Sequence, residues 1–189
     1  MSTNFLTSVL DDIQNAARIN RNKAANIVLE SPELLEELIA MTFEVNHKRS
    51  IKAAWVLEWI CTHHDLDYLL PHLDIFCTQL HQLQFDSAIR PCAKICEQLA
   101  KAYNAKKQNL TKTSLKDSHI DLIITTGFDW LLGQHKAAVK AYTMTSLYEL
   151  GKHRAWVHPE LKHLIASSLI HENKACMARG RHLLALLNN

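Results

Sequence analysis

Glycine and proline are scarce, with four of each in 189 residues. A fold of many tight turns needs both residues at higher density, so the chain is expected to consist of helices with short connections. A long apolar run is also lacking, since no stretch of about 18 apolar residues occurs and no segment is expected to span a bilayer. The start of the chain lacks a basic residue and reaches Asp11 and Asp12 before an apolar core develops, so it does not read as a signal peptide. An excess of charge of one sign is missing as well. The 21 basic and 19 acidic residues leave +2, which does not by itself imply nucleic-acid or membrane binding.

The five cysteines, Cys61, Cys77, Cys92, Cys96 and Cys176, are odd in number and lack the spacing of a disulfide framework. They read as small, reduced, buried side chains, and the cytoplasm is the expected compartment. Phosphate-cradling, dinucleotide-binding and nucleophile-elbow motifs are absent, so no catalytic residue and no cofactor is assigned. Twelve histidines raise the question of a metal, notably at His63-His64-Asp65 and at His153 with His158. None falls into a recognisable ligand set, and no metal is assigned.

What is present is helical periodicity over most of the chain. Phe5, Leu6, Val9, Leu10, Ile13 and Ala17 recur at offsets of three and four, predicting a helix over 3–18 that Thr3 or Asn4 caps. A shorter helix over 23–29 follows, and the pair reads as a terminal cap covering 1–30. Ser31-Pro32-Glu33 opens a helix to Glu44, and 46–64 forms a second whose centre, IKAAWVLEWI, is apolar on nearly every side. The same two-helix unit returns, with Pro71 opening a helix over 71–83 and a partner over 86–103. Residues 104–116, NAKKQNLTKTSLK, are polar, basic and aperiodic, and read as an exposed loop. Helices over 117–132 and 134–152, then 156–170 and 171–187, complete the chain.

The unit repeats by count. An apolar residue followed by a basic one occurs as Ile51-Lys52, Ile89-Arg90, Val139-Lys140 and Ala178-Arg179, at spacings of 38, 50 and 39. The middle spacing is a repeat enlarged by the polar loop. Markers in the first helix of each pair, Pro32, Pro71, Ile120 and Pro159, precede those basic residues by 20, 19, 20 and 20 positions. Two markers in one register identify a repeated helix pair. One column of the second helix stays small, as Ala53, Pro91, Ala141 and Gly180, which lets neighbouring helices approach closely.

The segment Val139-Lys140-x-x-Thr143-x-x-Ser146-Leu147-x-x-Leu150-Gly151 resembles the second helix of a HEAT repeat. The copy from Ile89-Arg90 keeps the start of that pattern but not its leucine, and the copy from Ile51-Lys52 carries Trp55 and Trp59 instead. The resemblance implies an all-α chain forming a single right-handed α-solenoid of about four to five HEAT-like helix pairs. Repeats would span 31–64, 65–103, 117–152 and 156–189, with first helices outside and second helices lining a concave side.

Charge separates between the two helix layers, the first helices summing to −10 and the second to +7. Acids near helix starts complement the helix dipole and explain much of the first figure. The second points to a basic surface containing Arg49, Lys52, Arg90, Lys94, Lys136, Lys140, Arg179 and Arg181. Two readings of its central column, Lys52, Arg90, Lys140 and Arg179, stand side by side. In one, each cation pairs with an acid of a neighbouring repeat; in the other, the column receives a ligand.

The function expected is a non-enzymatic HEAT-like scaffold or adaptor that binds a protein or acidic peptide segment through its concave second-helix face. The alternative partner is nucleic acid, by resemblance to HEAT-like enzymes that excise alkylated bases, with Trp55, Trp59, Trp130 and Trp156 as stacking surfaces or core residues. The catalytic acid of those enzymes, with its aromatic and arginine partners, has no match here.

Overall fold

The computed structural model describes residues 2–188, and side chains from residue 5 onward. The cap expected at Thr3 or Asn4 therefore lies outside the described side chains. Among the described residues every regular element is helical, so the chain is all-α. No helix is long and apolar enough to cross a membrane. By contacts the chain divides into two compact units, Met1–Ile95 and Cys96–Asn189.

The first unit opens with α1 (Ser2–Asp11), α2 (Arg18–Leu29), α3 (Pro32–Thr42) and α4 (Arg49–Trp59), the last prolonged by a π-turn over Ile60–His64. Helix α1 ends well before residue 18. The cause is Asn15, whose Oδ1 accepts from the Ala17 N–H at 2.9 Å and from Asn20 at 3.2 Å. A side chain that satisfies the backbone locally competes with the helix and ends it. α2 consequently starts at Arg18, five residues before the expected position.

Helix α3 buries Leu34, Leu35, Leu38, Ile39 and Met41 on one face and packs against α4. Leu6 and Leu10 of α1 and Ala24, Ala25 and Val28 of α2 are also buried, and α1 and α2 both pack on α3 and α4. Helix α4 is covered on most sides, with Ala53, Ala54, Val56, Leu57 and Trp59 all buried, as its apolar sequence requires. Each such leucine or valine removed from water contributes roughly 1.5–3 kcal/mol before entropy is counted.

Residues 65–82 depart from the single helix that Pro71 suggested. Asp65 accepts from the Asp67 N–H at 3.0 Å and starts a 3-10 helix, Leu66–His72, in which Pro71 lies next to the end. Proline has no N–H to give to the preceding turn, so the α-helical ladder begins only after it, as α5 (Leu73–Gln79). A short 3-10 turn, Leu80–Gln82, follows.

Helix α6 (Asp86–Tyr103) contributes residues 86–95 to the first unit and 96–103 to the second. Pro91 sits inside it, which leaves the Ser87 carbonyl without its usual donor four residues on. The indole N–H of Trp55 fills the gap, donating to Ser87 O at 3.1 Å. A proline that looks like a helix defect is thus matched to a tryptophan on α4.

The second unit contains α7 (Thr111–Ser114), α8 (Asp117–Leu132), α9 (Ala137–Gly151), α10 (Val157–Leu164), α11 (Ile170–Glu172) and α12 (Lys174–Leu187), with a π-turn over Ile165–Leu169 between α10 and α11. α8, α10 and α12 all pack on α9, which buries Val139, Met144, Leu147 and Leu150. The small column has a visible purpose at Gly180. A Cβ there would stand 2.9 Å from the Cγ2 atoms of Ile165 and Ile170, so α12 approaches the preceding turn more closely than any side chain allows. Asn173 caps α12, accepting from the Cys176 N–H at 2.9 Å.

Replacing Trp55 by Phe should leave the Ser87 carbonyl unpaired and lower stability by about 1–3 kcal/mol in urea unfolding. In a Pro91→Ala background, where residue 91 regains an N–H, the same replacement should cost distinctly less.

Candidate functional site

The four cations of the basic column are all engaged within their own units. In the first unit Lys52 Nζ donates to the Asp11 carbonyl at 3.1 Å, at the negative C-terminal end of α1. Arg90 forms a fork on Glu58, with Nη2 to Oε2 at 2.8 Å and Nη1 to Oε1 at 3.5 Å. Arg21 of α2 approaches the same Oε2 at 3.5 Å and lies 4.7 Å from the centroid of the Trp59 ring. Trp59 in turn donates to Asn22 Oδ1 at 3.1 Å and stacks on His63 at 3.6 Å. Glu58, only 6 % exposed, is therefore held by guanidinium groups from α2 and α6.

The second unit repeats the device with other residues. Arg179 of α12 reaches Glu97 Oε1 at 3.3 Å and also donates to the Thr145 hydroxyl. Lys101 takes the same Glu97 oxygen at 2.9 Å from one turn along α6. Lys140, 3 % exposed, pairs with Glu172 Oε1 at 2.7 Å. Glu97, like Glu58, is a buried acid on a second helix that faces two cations.

The remaining members of the expected basic surface are dispersed. Arg49 approaches Glu44 at 3.6 Å. Lys94 is half-buried, Lys136 is exposed just before α9, and Arg181 is exposed on α12 with no ion pair among the described residues. Arg154, absent from the expected set, clamps Asp117 and Asp121 of α8, each at 2.7 Å. These two acids raise its already high pKa further.

The histidines and tryptophans occupy local structural positions. His158 Nε2 lies 2.8 Å from the Tyr148 carbonyl, an acceptor only, so that nitrogen carries the proton. His153 meets Asn104 Oδ1 at 2.6 Å. Among the described residues no group of three or more His, Cys, Asp or Glu is placed to hold a metal. Trp59 and Trp130 are buried, whereas Trp156 is half exposed and stacks on Phe128 at 5.4 Å.

A second feature, not among the expected residues, lies in the first unit. A cavity of about 450 Å³ opens between the end of α2, the start of α3 and the 3-10 helix, with Val28, Leu29, Pro32, Leu35, Tyr68 and Pro71 as its apolar walls. It continues along α3 and α5 into a neighbouring depression of about 370 Å³, lined by Glu36, Ile39, Ala40, His72, Ile75 and Gln79. Tyr68 and Ile75 are 44 % and 48 % exposed, large apolar groups left facing solvent. Glu36, Asp65 and Asp67 rim this trough, and none has an ion-pair partner among the described residues. Burial and the nearby Asp65 charge raise the Asp67 carboxyl above its ordinary value.

Tyr68 and Ile75 are seven residues apart, the spacing of one helical face, and that was the available sequence signal. It is weak across a proline, and the acids around it coincide with ordinary helix-start acids. The sequence matches no protein-family model, and no curated protein or solved structure matches the chain.

The ladder and the thiols each lead to an expected outcome. Glu172→Gln should leave the buried Lys140 ammonium without a counter-charge and cost about 2–3 kcal/mol in urea unfolding, below the full value for a buried pair because Glu172 is partly exposed. Lys140→Met, which removes the charge instead of stranding it, should cost clearly less. All five cysteines are buried and none is in a disulfide, and burial pushes the thiols of Cys61, Cys77, Cys92 and Cys176 up, Cys77 to about 12. The native chain should therefore react with a thiol-specific chromogenic disulfide at pH 8 only at the rate of its unfolding.

Proposed function

We propose that this chain is a non-enzymatic scaffold built of HEAT-like helix pairs, a short α-solenoid whose task is to bind a protein segment. Three features support the repeat reading. The basic residue at the start of each second helix is engaged in every copy, Arg90–Glu58 and Lys140–Glu172 bridge the same 32-residue separation, and the small column allows close approach at Gly180. The Arg90–Glu58 and Lys140–Glu172 ties join helix pairs adjacent in the expected repeat, a structural duty that fits a stacked array, whereas Arg179 reaches Glu97 two pairs back.

Those ties also bear on the binding surface. A cation already matched to a buried acid offers little field to an acidic peptide or to phosphates, and detaching it strands the acid. We therefore assign the protein-binding role to the apolar trough along α3 and α5 in preference to the column. The observation that carries this reading is the trough itself, an open concavity with Tyr68 and Ile75 half exposed. Large apolar groups in a concavity have the composition that protein partners bury.

Selection of a randomised peptide library on the immobilised full chain should enrich sequences whose binding is lost with Ile75→Asp and kept with Arg181→Glu. A library that yields no binder, or binders indifferent to Ile75→Asp, sinks the reading.

A further inference from the structure

We propose that the trough of the first unit docks a basic protein segment, which seats an apolar side chain between Pro32, Leu35 and Tyr68 and sets lysine or arginine side chains against Glu36, Asp65 and Asp67. This rests on the scaffold reading and adds to it the chemistry of the partner.

The argument is one of charge complementarity on an apolar floor. No lysine or arginine lines either part of the trough; His72 is its sole basic side chain among the described residues. Three carboxylates stand at its edge, Glu36 and Asp65 exposed and Asp67 half-buried, and they converge on one apolar concavity. Glu58 and Glu97 each face two cations, and the exposed Asp117 and Asp121 share Arg154. Glu36, Asp65 and Asp67 face none.

Helix dipoles account for only part of that placement. Asp65 caps the 3-10 helix through the Asp67 N–H, and Glu33, on the first turn of α3, is held by the Ser31 hydroxyl at 2.5 Å. A helix start supplies about half a positive charge, too little to neutralise a further full charge such as Glu36 one turn on. Three negative charges around a partly enclosed apolar space repel an acidic occupant and hold a neutral one by the floor alone. A basic occupant gains both from the floor and from the rim. The volume is in the range of pockets that bury a side chain or two of a partner.

The occupant's form follows from the trough's shape. It runs from the α2 end, past Pro32 and Pro71, to Ile75 and Gln79, so an extended or helical segment can set a second apolar contact on Ile39 and Ile75 after the first.

Three fluorescent fourteen-residue probes test this on the full chain by anisotropy: an amphipathic lysine–leucine peptide, the same peptide with glutamate for lysine, and the same with serine for leucine. The lysine–leucine probe should bind at least tenfold more tightly than either of the others, and more weakly as salt rises. Glu36→Lys and Asp67→Asn should each weaken it severalfold, Tyr68→Ala should do the same without changing charge, and Glu160→Lys should leave it unchanged. Circular dichroism confirms that each variant is folded.

Equal binding of the glutamate probe, or equal binding of the serine probe, overturns the proposal, as does indifference to both Glu36→Lys and Tyr68→Ala. Concentration-dependent self-association that the lysine–leucine probe cannot displace would place a second copy in the trough and overturn it too. If the peptide library enriches acidic or uncharged sequences that still depend on Ile75, this inference fails while the scaffold reading stands. If the library yields nothing, both fail.

Discussion

A buried carboxylate facing two cations from different helices is the constraint on which both units depend. Glu58 draws Arg21 from α2 and Arg90 from α6, and Glu97 draws Arg179 from α12 while Lys101 approaches along its own helix. A carboxylate withdrawn from water is several kcal/mol less stable unless such partners arrive in the right geometry. The helices that carry the cations are therefore fixed relative to Glu58 or Glu97 within each unit, not merely attracted to a shared apolar core. Apolar packing of α3 on α4 and of α9 on α8, α10 and α12 supplies the bulk of the cohesion. The ion pairs add a geometric condition to that packing.

Glutamates and aspartates thus meet two fates in one small chain. Glu58 and Glu97 are matched, the acids at the trough are left single, as are the buried carboxylate oxygens of Glu37, and these groups cannot be told apart by residue type. Composition shows nearly balanced charge, yet balance over the chain conceals an imbalance at one place.

Much of the helical pattern was readable in advance. The helices over 86–103 and 117–132 have the expected bounds, because apolar periodicity and a starting aspartate agree there. Where local signals conflict, reading failed: Asn15 stops α1 through side-chain bonds that periodicity ignores, and Asp65 starts a 3-10 turn ahead of the proline that looked like a start. The column of cations was legible as a column, and its need for partners followed from charges set near helix starts. The partners themselves were not, since Glu58 and Glu97 lie 32 and 82 residues from the arginines they meet. The trough was invisible for a related reason. Its floor is assembled from three separate segments, each contributing only two apolar residues, and no single window contains enough of it to form a pattern.

The pairing of Trp55 with the carbonyl left open by Pro91 bears on how such a chain changes over time. Each residue makes the other tolerable: the indole has an acceptor because the proline gives no hydrogen, and the proline does little harm because the indole is present. Loss of the tryptophan first exposes the gap, whereas loss of the proline first merely adds a competing donor. The order of substitution is therefore not symmetric, and a lineage that has acquired both residues is entrenched, with one low-cost exit that begins at the proline.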